Sequence, residues 1–440
     1  MNRVAFCTLL LIAAAPAGGA DLLEIYRLAQ ASDAQYAAAR AAWSAGQEKL
    51  PQGLSGLLPS ASVSASTQHN DREFRSRDPL QATTTSRFNS NSIALSVTQP
   101  LYRPQNLTAY EQAKTQVAQS DAVFALATQD LILRVAQAYL DVLLAQDTVE
   151  FAQAQLVAIG RQLEQAKRNF EVGTATITDT HEAQSRFDLT TSVEIAARND
   201  LELRKRQLEL LIGRPAPGLT TLGPRFDPAL PRPDAMDRWV ADAAENNLQV
   251  RINRSGLEFA TQEVERNRAG HRPTLDAFAT YTDSGSGAGT VGVSGTDTTS
   301  RVVGVQLAIP IYQGGLISSR VREAIANEEK SRQDLETARR TAELTARQAF
   351  LSVASGIAQV RALEAALVSS KSSLDSTLLG QEVGVRTQID VLNAQQQLSQ
   401  TRRDLAQAKY NYINALLRLK SAAGQLTEQD VALVNGWLNR

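Results

Sequence analysis

The hydrophobic positions of this chain follow the same long pattern twice. Apolar residues spaced by three and four positions run from Val135 to Leu163 in the first half. The pattern returns 211 residues later, from Ala346 to Leu374. Such spacing is typical of helices that pack as coiled coils. A repeat of this length indicates two fused supersecondary units rather than a short-repeat solenoid.

The pattern predicts one very long helix and a returning helix in each repeat. Pro104 suits the first turn of a helix, and the next proline is Pro215. The only turn signal between them is near Gly173, which predicts a helix of about 65 to 70 residues followed by one of about 35. In the second repeat, Gln313-Gly314-Gly315 opens the equivalent helix and the return runs over 386–423.

Alternation with a period of two predicts two strands in each repeat. The predicted strands cover residues 59–67, 92–100, 273–281 and 301–310. Each has one apolar row and one small, polar row. The polar stretches between the strands, 68–91 and 283–300, are predicted loops, and shorter helices are predicted before each pair at 21–50, ended by Pro51, and at 233–269.

The ends of the chain and the link between the repeats complete the predicted organisation. Residues 1–20 have a basic residue, an apolar run and small residues at the end, which predicts a secretory signal. The first repeat then covers 21–213 and the second 234–424. The segment 214–233, rich in proline and glycine, links them, and 425–440 is a separate C-terminal segment.

Charge and cysteine content narrow the possible functions. The 45 basic and 46 acidic residues give a formal net charge of −1, which argues against nucleic acid as the main ligand. Cys7, the single cysteine, lies inside the predicted signal, so no disulfide or cysteine metal site is expected in the mature chain. After the signal, no apolar run approaches the roughly 18 to 20 residues of a transmembrane helix.

Two classes of protein fit these features. Four strands cannot close a barrel, and open strand edges are not tolerated in lipid, so a membrane protein would need several copies to complete its sheet. Three copies would give about twelve strands and a lumen. The alternative is a soluble periplasmic coiled-coil protein with a structural or adhesive role and a small β domain.

Several sequence blocks decide between them, because they resemble the TolC family of outer-membrane efflux proteins. The blocks are Pro273-Thr274-Leu275-Asp276, 309–315, 372–375, 383–392 and 408–412. The resemblance covers both repeats. It implies a mainly α-helical protein with a membrane β-barrel part, which assembles as a homotrimeric α-barrel and β-barrel duct.

The resemblance also implies a function and its partners. Such a duct is the outer-membrane exit channel of tripartite efflux and type I secretion systems, and it extends into the periplasm. It works with a periplasmic adaptor (membrane fusion) protein and an inner-membrane pump or ABC transporter, and it needs no cofactor. The segment 214–233 and the C-terminal segment would belong to an equatorial region. No enzymatic activity is expected.

The resemblance places a gate at the periplasmic tips of the hairpins. Asp390 matches the first of two aspartates that form an acidic ring, whereas the second position is Asn393 here. Clustered carboxylates favour cations, so the closed mouth should select and be blocked by them. An alternative function for Asp390 is to complement the N-terminus of its helix.

Four further residues match a latch that holds the gate shut. Arg386 matches an arginine that ties the second hairpin to its neighbour, and Thr178 and Asp179 match its partners. A directional arginine–carboxylate contact can be broken by a competing partner, which suits an iris-like opening. Gln381 replaces a tyrosine that shares this role in relatives.

The turns of the two hairpins are the predicted contact points for the adaptor. The predicted adaptor-docking residues are Val172, Gly173, Thr174, Val383, Gly384 and Val385. The glycines also allow a left-handed turn. The glycine-rich stretch 285–295 lacks the lysine and hydroxyl residue of a phosphate loop and is predicted to be an exposed loop. The three histidines have no ligand spacing, and no metal site is predicted.

Overall fold

The computed structural model describes residues 19–75, 77, 78, 80, 82–287 and 294–438. The predicted signal, apart from its last two residues, lies outside these ranges together with Cys7, and so does the middle of the glycine-rich stretch 285–295. The strands are β1 (Ser60–Phe74), β2 (Thr84–Tyr102), β3 (Thr274–Ser286) and β4 (Thr296–Ala308). The helices are α1 (Leu22–Ser32), α2 (Ala34–Gln47), α3 (Lys49–Ser55), α4 (Pro104–Glu171), α5 (Ile177–Ile212), α6 (Met236–Asn246), α7 (Leu248–Arg268), α8 (Leu316–Glu382), α9 (Gln388–Ala422) and α10 (Glu428–Asn435).

The predicted long helices and their returns are confirmed. Helix α4 has 68 residues and α8 has 67, while α5 and α9 have 36 and 35. The repeated seam is buried or half-buried along its length, with Val142 and Val353 at 1% and 0% exposure. Returning helices end at Gly213 and Gly424, whose φ values of 67° and 71° stop the helix.

The four strands form one antiparallel sheet in the order β1-β2-β3-β4. Val63 lies opposite Leu95, which in turn lies opposite Tyr281, and Ala279 lies opposite Val303. Residues opposite each other in antiparallel strands share a face. The four apolar rows predicted from the sequence therefore lie on one face of the sheet. The other rows, serine-rich in β1 and mostly small or polar in the other strands, lie on the opposite face.

The predicted strand ends were wrong. Residues 68–74 and 84–91 were predicted as loop but continue β1 and β2, and β3 and β4 likewise extend over 283–286 and 296–300. These segments are polar, so they carry no apolar alternation. The β-ladder nevertheless continues through backbone hydrogen bonds. Asp71 on β1 lies opposite Arg87 on β2, and their side chains form an ion pair of 2.9 Å.

The shorter helices are also divided where one helix was predicted. Asp33 ends α1 and accepts a hydrogen bond of 3.1 Å from the amide of Tyr36 in α2. Pro51, predicted to end the helix, lies in the first turn of α3, where a missing donor is harmless. The single helix predicted over 233–269 is divided into α6 and α7. Asn247 between them has non-helical backbone, and its side chain donates to the carbonyl of Ala422 at 2.9 Å.

Packing divides the chain into two compact units that do not follow the sequence repeats. One unit comprises the described residues up to Arg40, Phe124–Leu248 and 339–438, and the other comprises Ala41–Val123 and Gln249–Ala338. The sheet belongs to the second unit, and the packed helix seams and the hairpin tips belong to the first. The division into repeats stays a prediction from the sequence.

Within the first unit, the linker between the repeats packs against the helices. Leu219 forms a bridge with Ala20, and Leu222 forms one with Leu438 near the end of the chain. The hydroxyl of Tyr139 on α4 donates to the carbonyl of Thr220 at 2.7 Å. The linker is therefore irregular but held in place, as the sequence predicts.

Helix α8 has an unusually apolar exposed stretch. An 18-residue window reaches a mean hydropathy of 1.3, and only 17% of that window is buried. By length and composition alone this helix could cross a membrane, which differs from the sequence prediction. The apolar residues are the alanines, valines and leucines of a coiled-coil helix rather than a continuous apolar run.

Candidate functional site

Each long hairpin turns at a glycine with left-handed backbone. Gly173 and Gly384 both have a φ of 79°. In the second tip the amide of Val385 donates to the carbonyl of Gly380 at 2.9 Å, and the first tip makes the equivalent bond. Among the described residues no atom lies within 4 Å of the place that a Cβ would take on either glycine. Backbone conformation, not close packing, therefore requires glycine at both turns.

The predicted adaptor-docking residues do lie together at the end of each hairpin. Val172 is 73% exposed, Val383 67% and Val385 76%. Thr174 is also exposed, and its hydroxyl donates to the carbonyl of Asn169 at 3.0 Å. Exposed apolar side chains at both tips are consistent with a contact surface.

Asp390 and Asp179 cap the two returning helices in the same way. The amide and hydroxyl of Thr387 donate to Oδ2 of Asp390 at 2.9 and 3.0 Å, and the amide of Asp390 donates back to that hydroxyl at 3.2 Å. Thr176 and Asp179 form the same capping box, with distances of 2.9, 2.9 and 3.3 Å. Each box satisfies free donors of the first turn.

The cap also fixes the charge of Asp390. The hydrogen bonds from the backbone and side chain of Thr387, with the nearby guanidinium of Arg386, hold the pKa of Asp390 below its ordinary value of 3.8. The carboxylate is therefore ionised throughout the neutral range. Helix capping and a gate charge are compatible functions of the same side chain.

The structure of one chain does not bring the predicted latch residues together. Arg386 and Thr178 are exposed, and within the described ranges the Arg386 guanidinium makes no hydrogen bond or ion pair with Thr178 or Asp179. The Arg386 amide donates to the carbonyl of Gly380 at 3.1 Å. The latch stays a prediction for the assembled protein.

Gln381, the fourth predicted latch residue, supports a different contact. Its side-chain amide donates to Oε1 of Gln388 in the first turn of α9. Gln388 in turn donates to Oε1 of Gln162 on α4 at 2.8 Å and to the Gln162 carbonyl at 3.1 Å. This chain of amides ties the start of α9 to the first hairpin.

Asn393 is held by an arginine of the first hairpin. The guanidinium of Arg186 on α5 donates to Oε1 of Gln396 at 3.1 Å and to Oδ1 of Asn393 at 3.5 Å. Its other contact is an ion pair of 4.0 Å with Glu182 on its own helix. At the position where the resemblance expects a carboxylate, this chain thus has an amide that accepts from an arginine.

Sequence reasoning missed Arg186, Gln162 and Gln388. Their partners are 210 and 226 residues away along the chain, so no local spacing reveals them. A polar residue at a half-buried position of a coiled-coil face is the only local signal. In the described ranges, no cluster of three or more His, Cys, Asp or Glu side chains could hold a metal ion.

Comparisons with known proteins identify the class to which this architecture belongs. The sequence profile of the outer membrane efflux protein family matches residues 25–214 and 239–425. The chain is 34% identical over 422 residues to outer membrane protein TolC of Vibrio cholerae serotype O1, covering 95% of this chain and 94% of that protein. It is also 34% identical to the alkaline protease secretion protein AprF of Pseudomonas aeruginosa, with coverage of 98% and 89%.

A solved structure agrees on the fold. The crystal structure of the Campylobacter jejuni CmeC outer membrane channel superposes with a TM-score of 0.78 at 16% identity and covers 95% of this chain and 90% of its own. At that identity the likeness concerns the fold alone. The chain belongs to the outer membrane efflux protein family.

The predicted class is thereby confirmed. The protein is an outer-membrane efflux channel that is mainly α-helical, and it is not an enzyme. The alternative of a soluble structural coiled coil is set aside, because family members are outer-membrane proteins.

Proposed function

We propose that three copies of this chain form one duct that conducts substrates passively through the outer membrane from the periplasm. The duct would serve tripartite efflux and type I secretion systems, as the AprF and TolC relatives suggest. The observation that carries the proposal is a four-stranded sheet. Its outer strands, β1 and β4, each have one edge with no partner strand among the described residues of the single chain.

The unpaired edges require neighbours if the sheet lies in a membrane. Strand β1 has 15 residues and β4 has 13, so both edges present long rows of backbone donors and acceptors. Each unsatisfied group would cost several kcal/mol in hydrocarbon (about 2–7 kcal/mol). Two copies would give about eight strands and an interior filled by side chains, whereas three would give about twelve and a lumen.

The two faces of the sheet suit lipid on one side and water on the other. Val303 and Val305 on the apolar face are 84% and 64% exposed in the single chain. The opposite face has Ser62, Ser64 and Ser66 in one row. This division is the pattern of an outer-membrane barrel.

The helices also leave apolar side chains for neighbouring copies. Leu189 and Leu210 of α5 are 61% and 83% exposed, and Val368 of α8 is 71% exposed. Exposed apolar residues on otherwise paired helices favour further helix packing. Side-by-side packing of the hairpins would continue the coiled-coil arrangement of the single chain.

Within this duct we assign the gate to the hairpin tips. Asp390 would give the trimer one carboxylate per chain, with Asn393 beside it as a neutral amide, so cation block should be weaker than in relatives with two aspartates. Arg386 would act as a latch toward Thr178 and Asp179 of a neighbouring copy. The tips around Gly173 and Gly384 would bind a periplasmic adaptor, and an inner-membrane pump or ABC transporter would supply the energy.

A cross-linking experiment on the strand edges tests the assembly. The single cysteine lies at position 7, so after removal of the predicted signal the introduced cysteines would be the only thiols available to a cross-linker. Val63→Cys on β1 combined with Val303→Cys on β4, treated with a bifunctional maleimide in the outer-membrane fraction, should give covalent dimers and trimers. The control pair, Val97→Cys and Ala279→Cys, joins strands that are already neighbours within one chain and should stay monomeric.

The mass of the product decides the outcome. Covalent species up to a trimer, with no larger oligomer, would support the proposal. A ladder that stops at the dimer, or no intermolecular product from the edge pair, would contradict a closed trimeric barrel.

A further inference from the structure

A cavity lies where strands β3 and β4 meet the long helices. It has a volume of about 430 Å³ and lies within the unit that contains the sheet. Arg272, just before β3, and Arg320, in the second turn of α8, both line it. Asn267, Gln105 and Gln313 add side-chain amides.

Two arginines give the lining of the cavity a positive charge. Neither Arg272 nor Arg320 forms an ion pair within the described part of the chain, and both side chains are exposed. None of the residues that line the cavity is acidic. The nearest carboxylate on the same strand, Asp276, is fully engaged by Arg103, whose two nitrogens donate to both of its oxygens at 2.7 Å.

The starts of two long helices add to this positive potential. Gln105 is in the first turn of α4, and Ile317 is in the first turn of α8. The helix dipole places partial positive charge at the start of each helix. The arginines and the two helix starts thus act in the same direction.

Strand register places two residues of the cavity lining, Thr274 and Ala308, on the polar face of the sheet. Thr274 lies opposite Ala308, and Asp276 lies opposite Gln306, so all four share a face. That face is the serine-rich one, because the apolar row is formed by the alternate residues. Arg272 has extended backbone two positions before Thr274, and alternation places it on the same face.

We propose that this cavity binds an oxyanion, a carboxylate or phosphate group, and that Arg272 and Arg320 help to determine the ion selectivity of the channel. Guanidinium groups recognise such groups through paired, charge-assisted hydrogen bonds. In the proposed duct, on which this inference rests, the polar face lines the lumen. The ligand is then a group on a conducted solute rather than the headgroup of a lipid.

Calorimetry with inorganic pyrophosphate tests the site on the purified, detergent-solubilised protein. The wild type should bind the probe, and the double variant Arg272→Gln, Arg320→Gln should bind at least tenfold more weakly. Arg322→Gln removes an exposed arginine of the same helix that does not line the cavity and should bind as the wild type does. Absence of wild-type binding, or equal weakening by Arg322→Gln, would overturn the proposal.

Lipid nanodiscs separate the two sources of the anion. Pyrophosphate binding should be the same in phosphatidylcholine discs with and without phosphatidylglycerol. Loss of binding when phosphatidylglycerol is added would mean that a lipid headgroup occupies the site and would refute the assignment to a conducted solute.

Recordings in planar bilayers test the selectivity function separately from the proposed duct. Under a KCl gradient, the double variant should shift the reversal potential toward cation selectivity, and Arg322→Gln should not. If the wild type forms no pores, the duct is refuted while calorimetry still decides the site. If it forms pores whose selectivity is identical in the double variant, the selectivity function is refuted and the duct stands.

Discussion

The hydroxyl of Tyr410 on α9 donates a hydrogen bond of 2.7 Å to Oδ2 of Asp147 on α4. Burial raises the pKa of Asp147 above its ordinary value of 3.8, although the bond from Tyr410 opposes part of that increase. Burial raises the pKa of Tyr410 as well, so the phenol stays protonated as the donor. A carboxylate is thus held in the helix seam at a cost in desolvation.

This arrangement predicts a pH-dependent stability. The pKa of Asp147 is higher in the folded state than in the unfolded state. Ionisation of Asp147 therefore lowers the free energy of unfolding above the folded pKa, and this loss of stability is relieved as the pH falls through that pKa. Asp147→Asn should therefore raise the thermal unfolding temperature at pH 7.5, and the gain should shrink toward pH 4. Asp188→Asn, on an exposed position of α5, is the control. A gain that is independent of pH would contradict the assignment.

Arg186 is expected to keep the two hairpins together at the gate. Arg186→Gln removes the charged donor to Gln396 and Asn393, and a solvent-exposed bond of this kind stabilises by about 0.5–1.5 kcal/mol. The ratio of open to closed channels should rise roughly twofold to tenfold in single-channel bilayer recordings. Arg198→Ala removes an arginine whose ion pair, in the described part of the chain, is with Glu194 on its own helix, and it should leave the recordings unchanged. Equal effects of both variants would refute this function of Arg186.

Arg386 tests the proposed latch between copies. Arg386→Ser should raise the conductance of the resting pore, because within one described chain the guanidinium has no bond that would explain a purely structural function. Arg361→Ser, an exposed arginine of the neighbouring helix α8, should not. An unchanged conductance in Arg386→Ser would remove this residue from the gate.

Asp390 should make the pore sensitive to cations at its periplasmic mouth. Asp390→Asn should weaken block by a trivalent cation at least tenfold, whereas Asp188→Asn, at an exposed position of α5 outside the proposed gate and latch, should not. Since the pKa of Asp390 lies below 3.8, wild-type block should persist at pH 5 and disappear only as the pH falls through that lowered value. Loss of block already at pH 5, or equal loss in both variants, would contradict the gate assignment.

The hairpin tips provide a test of adaptor binding that leaves the turns intact. Substitution of Val172, Val383 and Val385 by serine removes exposed apolar surface and keeps both glycines, so the channel should fold and insert normally. Pull-down with the cognate adaptor should fall at least tenfold. Leu433→Ser, at an exposed position of α10, is a matched control. Undiminished capture by the triple variant would show that these valines are not the contact surface.

The sequence predicts those features that depend on periodicity and on local turn chemistry. The seam from Val135 to Leu163 fixes the long helices, and Gly173 and Gly384 mark both turns. The sequence also predicts which residues of each strand form the apolar row, since Val63, Leu95 and Val303 fall on one face of the sheet. These signals each lie within a few residues of the element that they define.

The features that sequence reasoning missed depend on distant partners. The polar ends of the strands, from Gln68 to Phe74 for example, are held by backbone pairing rather than by side-chain alternation. Asn247, between α6 and α7, bonds to Ala422 far along the chain, and the bonds of Arg186 and Gln388 join residues from different repeats. No window of local sequence contains both partners of such a contact.

The strand order has a consequence for how the protein is made. Strands β1 and β2 are neighbours in the chain and can pair early, whereas β2 pairs with β3, which follows two long helices and the linker. Pairing over such a distance pays a large loop-closure entropy and is slow. During export, β2 therefore keeps an unsatisfied edge until the second half of the polypeptide has crossed the inner membrane, and in that interval the chain is most exposed to aggregation through this edge.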